Sequence, residues 1–224
     1  MKIGINYTET EKYKIQCTGH TVYVFDKNGN ELKRFRDMTY AYACAVSPCG
    51  DILAVKSTEG QLAIYSLETL SLIKKFRFSS VRYAQDDGFC FSSDGKRFVN
   101  VERQIDDLHS AISVYDTLDF SLVSRLLLPE NEMIDTVEYT DGECFVLGYE
   151  RKGDGIDCFI GKFENDGIYE RVKILKKEYD FLFLQSMSDL SCLLTDLERN
   201  EFLKMLENTK HIRLTDAWRT GGIK

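Results

Sequence analysis

Short apolar runs separated by polar turns make up this chain from one end to the other. The turns set the rhythm. Ser47-Pro48-Cys49-Gly50-Asp51, Ser92-Ser93-Asp94-Gly95-Lys96, Tyr139-Thr140-Asp141-Gly142-Glu143 and Ser186-Met187-Ser188-Asp189-Leu190 recur at spacings of 45, 47 and 48 residues, counted from Cys49 through Asp94 and Asp141 to Asp189. Asp-Gly between apolar runs marks a hairpin, because glycine takes the positive φ that the turn requires. The copy at Asp189 lacks its glycine, and a degenerate further copy fits at Thr8-Glu9-Thr10-Glu11.

A strand-like run follows each turn: Tyr13-Lys14-Ile15, Ile52-Leu53-Ala54-Val55, Phe98-Val99-Asn100-Val101, Cys144-Phe145-Val146-Leu147 and Cys192-Leu193-Leu194. After a polar loop, a third run ends in an apolar residue and then a polar one: Phe25-Asp26, Tyr65-Ser66, Tyr115-Asp116, Phe163-Glu164 and Leu206-Glu207. A fourth run opens a few residues later, at Leu32, Leu72, Leu122, Val172 and Ile212. Runs of this length, rich in Val, Ile, Tyr and Phe and bounded by turn residues, read as strands. Four strands per unit at this period are the arithmetic of a propeller blade, which buries its faces only against neighbouring blades.

The expectation is therefore one all-β domain over residues 1–224, a β-propeller of about five four-stranded antiparallel blades. The blades fall near 1–37, 38–80, 81–129, 130–178 and 179–216, with a tail from 217 to 224 whose Trp218 is expected to cap the last blade, the alternative being an anchor of the tail to a partner. Two alternatives stay open. Asp196 to Lys210 holds strong helix formers, which would make the C-terminal unit partly helical. Each unit is also complete in itself, so the ring closes by packing blade one on blade five, stays open, or pairs with a second copy as a homodimer.

Ala63-Ile64-Tyr65-Ser66-Leu67-Glu68-Thr69-Leu70 and Ile112-Ser113-Val114-Tyr115-Asp116-Thr117-Leu118-Asp119 resemble the third-strand motif of WD-repeat proteins, with tyrosine where that family usually has tryptophan. The turns after Ala45-Val46 and Cys90-Phe91 resemble the family's first hairpin. The likeness runs from about Tyr13 to Leu214 and implies the fold, with little said about function. No Trp-Asp pair occurs, and Gly19-His20 falls in a second-to-third-strand loop, away from the family's Gly-His position.

Composition narrows the function classes. The 224 residues are 43% hydrophobic and 12% aromatic, enough to fill a core, and the net charge of −7 disfavours a nucleic-acid partner. Lys74-Lys75 and Lys176-Lys177 read as solvated strand edges. The start has no apolar stretch of a signal peptide and no run approaches membrane-spanning length, so neither export nor a membrane partner is expected. The seven cysteines form no C-x-x-C pair and sit mostly in apolar runs, as reduced thiols in a cytoplasmic protein would. Cys49 is the exception, placed in a turn.

Candidate chemistry is sparse. His20, His109 and His211 fall in different units without metal spacing, and no nucleophile, Walker or Rossmann motif is present. No cofactor, metal or catalytic residue is assigned. The loops are more informative, since in a propeller the connections between blades share a face with the second-to-third-strand loops. That face gathers Asp86, Asp87, Asp106, Asp107, Asp154 and Asp157, with Tyr40, Tyr42 and Tyr83 as aromatic anchors. The expected function is a non-enzymatic scaffold that presents these loops to a protein or peptide. The alternatives are a hydrolase or lyase with its site in the channel, for which the first strands offer Glu138 and little else, and a propeller that binds a small ligand or carbohydrate.

Overall fold

The computed structural model describes residues 7–78, 88–103, 109–140, 143–152, 155–164 and 169–180. All of its regular structure is strand. The first sheet contains β1 (Tyr7–Glu9), β2 (Tyr13–Cys17), β3 (Val22–Asp26) and β4 (Glu31–Phe35). The second contains β5 (Ala41–Val46), β6 (Ile52–Ser57), β7 (Gln61–Ser66) and β8 (Ser71–Arg77). The third contains β9 (Phe89–Phe91), β10 (Arg97–Arg103), β11 (Ser110–Asp116) and β12 (Leu122–Leu127). The fourth contains β13 (Glu132–Thr140), β14 (Glu143–Lys152), β15 (Gly155–Glu164) and β16 (Tyr169–Asp180). Each sheet is an antiparallel meander in sequence order.

Local chemistry fixes these boundaries. Every third strand ends on the polar residue that follows its aromatic: Asp26, Ser66, Asp116 and Glu164. In the first-to-second-strand turns a serine hydroxyl does the work. Ser47 Oγ accepts from the amide of Ile52 at 3.0 Å, and Ser92 Oγ accepts from that of Arg97 at 2.9 Å. In the first sheet the turn falls later than the sequence suggests. Thr8 and Glu9 belong to β1, and it is Thr10 Oγ1 that accepts from the Tyr13 amide at 2.9 Å.

The sheets stack through their first strands. β5 lies against β1 and β2, β9 against β5, and β13 against β9 and β10. Three apolar cores fill the gaps between successive sheets. The first joins Ile15, Val24 and Phe35 to Val55 and Tyr65, and the second joins Leu62 and Ile64 to Phe89, Phe98 and Tyr115. The third joins Val99, Val101 and Val114 to Ile134, Val137 and Phe159. Burial falls from the inner strand outward: β5 is buried along nearly its whole length, whereas most of β8 and β12 is exposed. This is how blades pack around an axis.

The fifth unit proposed from the sequence, its helical alternative over Asp196 to Lys210, and Trp218 lie outside the described residues, apart from Tyr179 and Asp180 at the end of β16.

Candidate functional site

The turns after second strands and the connections between sheets come together at one end of the molecule. Gly19 and Ala41 exchange backbone hydrogen bonds of 3.1 and 2.8 Å, tying the β2–β3 turn to the start of β5. Thr58 N donates to Tyr40 O, Ser57 Oγ to Thr39 O, and Phe78 N to Gly60 O, so the β6–β7 turn is bonded to the connections on both its sides. Val101 N donates to Gly88 O, and Leu128 N to Ser110 O, which repeats the arrangement in the third sheet. Such bonds fix the loop ends as part of the scaffold.

Tyr40 and Tyr42 both belong to this end, but in different environments. Tyr40 is 43% exposed, and its ring lies 5.5 Å from that of His20. Tyr42 is 6% exposed and packs in the core between the second and third sheets, so its contribution is packing. Its position explains this: Ala41 pairs with Ser57 and Ala43 with Lys56, leaving Tyr42 as the extra residue of a β-bulge.

Tyr83, Asp86, Asp87, Asp106, Asp107 and Asp154 lie outside the described residues. The flanks of their segments are described, and Phe78, Gly88, Arg103 and Ser110 all stand at this same end. Asp157 is placed by register. Glu132 pairs with Glu150, Glu150 with Asp157, and Asp157 with Glu178, so acidic residues occupy one line across all strands of the fourth sheet. Only Asp157 of that line stands out in sequence, because the other three are brought beside it by strand pairing.

Beneath the loops lies a polar seam between the second and third sheets that sequence reasoning missed. Lys56 is 1% exposed, and its Nζ donates to Val101 O at 2.7 Å while lying 5.3 Å from the Phe78 ring and 5.7 Å from that of Phe89. A buried ammonium needs such partners, since desolvation is otherwise too costly. Glu102, 3% exposed, accepts from Ser113 Oγ at 2.7 Å and from Arg125 at 3.0 Å. Asn100, fully buried on the same face of β10, has no hydrogen-bond partner for its side chain. The available signal was a polar residue within or directly after each apolar second-strand run, Asn100 within one and Lys56 directly after the other. Burial, followed by the Glu102 carboxylate, pushes the neighbouring Tyr115 phenol up to about 12.

Among the described residues no group of three or more His, Cys, Asp or Glu gathers as metal ligands, and no helix is long and apolar enough to cross a membrane. Cys17, Cys44 and Cys90 are buried cysteines outside any disulfide, and Cys49 is exposed. The Cys49 thiol donates to Asp51 at 2.8 Å, and that bond, ahead of the one from Ser47, holds the Asp51 carboxyl below its ordinary value.

No protein-family model and no curated protein matches the chain. Solved structures do match. The WD40 repeats of RRP9 are similar at 11% identity with a TM-score of 0.56, over 76% of this chain and 51% of that one. The fold is a WD-repeat-type propeller. Hydrazine synthase of Kuenenia stuttgartiensis has a TM-score of 0.61 at 15% identity, over 71% of this chain and 50% of that one. Hsv2 of Kluyvelomyces marxianus has a TM-score of 0.51 at 10% identity, over 76% and 60%. The propeller described here thus spans about half the length of the first two of these. At such identities the likeness is one of fold.

Proposed function

We propose that this propeller is a non-enzymatic interaction scaffold whose loop end receives a protein or peptide partner. The observation that carries the reading is the backbone bonding of the loop ends, through Gly19 to Ala41, Thr58 to Tyr40 and Phe78 to Gly60. Loops held in this way present side chains without a large ordering cost on binding. The WD40 fold of the neighbours supports it by analogy. The acid surplus favours a basic protein surface over nucleic acid. Buried thiols at Cys17, Cys44 and Cys90 suit a reducing cytoplasm.

Affinity capture from the source cell, with the wild type and two variants, tests the reading. A partner recovered in stoichiometric amount should be lost with a Tyr40→Ala, Glu59→Ala double variant and kept with Leu72→Ser on the outer strand β8. The opposite pattern, or capture of none, defeats it.

A further inference from the structure

Strand register brings out corresponding positions in the first three sheets. Lys14 pairs with Phe25 as Leu53 pairs with Tyr65 and Phe98 with Tyr115. In the second and third sheets these residues turn toward the preceding sheet and are buried in the core shared with it. In the first sheet the same face carries Lys14, Gln16, Tyr23 and Phe25, flanked by Tyr7 and Glu9 of β1 and by Glu31 and Arg34 of β4. Solvent reaches it: Glu9, Gln16, Glu31 and Arg34 are exposed, and Tyr7, Lys14, Tyr23 and Phe25 are half-buried.

The chemistry of this face is that of an interface. Tyr23 and Phe25 stack with centroids 5.9 Å apart, and the Arg34 guanidinium lies 5.4 Å from the centre of the Tyr23 ring. Tyrosine, phenylalanine and arginine are residues that anchor protein interfaces. Charge lies toward the edges. Lys14 sits 3.9 Å from Glu9 on the β1–β2 side, and Arg34 binds Glu31 at 2.5 Å on β4. These cations and anions cancel, although the chain carries −7 overall. A basic partner would select an acidic face. A balanced face suits a copy of itself, because a two-fold axis sets each patch against the same patch. With that axis along the strands, the Glu9–Lys14 edge of one copy lies over the Glu31–Arg34 edge of the other, so each pair offers its base to the other's acid. We infer that this face of the first sheet is a self-association surface, on which two copies of the chain dock through Lys14 to Glu31 and Arg34 to Glu9, around the Tyr23–Phe25 stack. Four strands of this length make a face of roughly 19 by 17 Å. That is small beside the ~800 Å² per partner of a standard interface, so the dimer is weak.

Sedimentation velocity of the full chain, from about 5 to 500 µM in about 0.15 M salt, is the test. Wild type should pass from monomer to dimer with a Kd on the order of 10–100 µM. Lys14→Glu and Glu31→Lys should each weaken association at least about tenfold, since each sets like charges together twice across the axis. Mixing the two variants should restore it, because one contact is then reversed and the other native. Recovery on mixing also shows that both variants are folded. Lys96→Glu, an equal change of charge at a side chain 77% exposed in the β9–β10 turn, should leave association unchanged. A monomer across the whole range, the result if another segment of this chain or a different protein covers the face, overturns the proposal. So does a dimer that survives both reversals, equal weakening by Lys96→Glu, or a mixture that stays monomeric.

Discussion

Tyr40 and Tyr42 stand two residues apart, a spacing that puts side chains on one face of a regular strand. One is exposed and the other buried, because a left-handed residue and a bulge come between strand periodicity and outcome. The same scale explains Gly88, which leads into β9. A Cβ there would meet the Cβ and Cγ2 of Val101 at 2.6 Å, and one at Gly148 would meet the Met133 carbonyl oxygen at 2.6 Å. Both are points of close approach between neighbouring strands. Gly88→Ala and Gly148→Ala should each cost about 1–3 kcal/mol in urea unfolding. Gly148→Ala should be the worse, since backbone yields less than a valine side chain.

At the scale of the element, the hairpin turns explain why the repeat is legible. Ser47 and Ser92 each close a turn with hydroxyl bonds, and Asp51 and Asp94 accept from them at 2.6 and 2.7 Å. Hydrogen bonds from Cys49 and Ser47 lower the carboxyl of Asp51, and those from Ser92 and the Lys96 amide lower that of Asp94. A carboxyl depressed in the folded state adds stability above its unfolded value of 3.8 and loses it as pH falls through the folded value. Melting temperatures of wild type should therefore fall below about pH 4 more steeply than those of an Asp51→Asn, Asp94→Asn double variant. At neutral pH the double variant should melt lower. Parallel acid limbs would show that these turns do not carry the effect.

The outer strands show a second elemental device. Register shifts between Val24 and Phe25, Ile64 and Tyr65, and Val114 and Tyr115 place a bulge at the same point of β4, β8 and β12. The exposed Leu32, Ile73 and Val123 are the extra residues there. The charged residues of β8 and β12 are all cations, Lys74, Lys75, Arg77 and Arg125. Bulges and lysines both discourage edge-to-edge pairing.

Across the whole molecule, stability resides between blades. Phe98 touches the rings of Phe89, Phe91, Tyr115 and Phe120, with centroids 4.9 to 6.4 Å apart, and shares its core with Leu62 and Ile64 of the preceding sheet. Phe98→Ala should cost about 3–5 kcal/mol in denaturant unfolding, through loss of contacts in two blades at once. Leu122→Ala, on an outer strand where the leucine is 53% exposed, should change stability by less than about 0.5 kcal/mol. Similar losses from the two would mean that the blades do not rely on each other. The aromatic that ends each third strand extends this logic. Tyr65 packs toward the first sheet and Tyr115 toward the second, while Phe25, with no described sheet before it, is half-buried beside Tyr23.

Sequence alone determined the hairpin turns at Ser47 and Ser92, the ends of the third strands and the four-strand period of the described sheets, because each depends on residues close together in the chain. Serine, aspartate and glycine act over a few positions, and their meaning survives without neighbours. Only the tertiary structure decided that Tyr42 is core, that Lys56 and Glu102 are buried yet bonded, and that Glu132, Glu150, Asp157 and Glu178 share one line. Burial and strand register arise from packing between segments far apart in the chain, and a local pattern carries no record of which segment will face it.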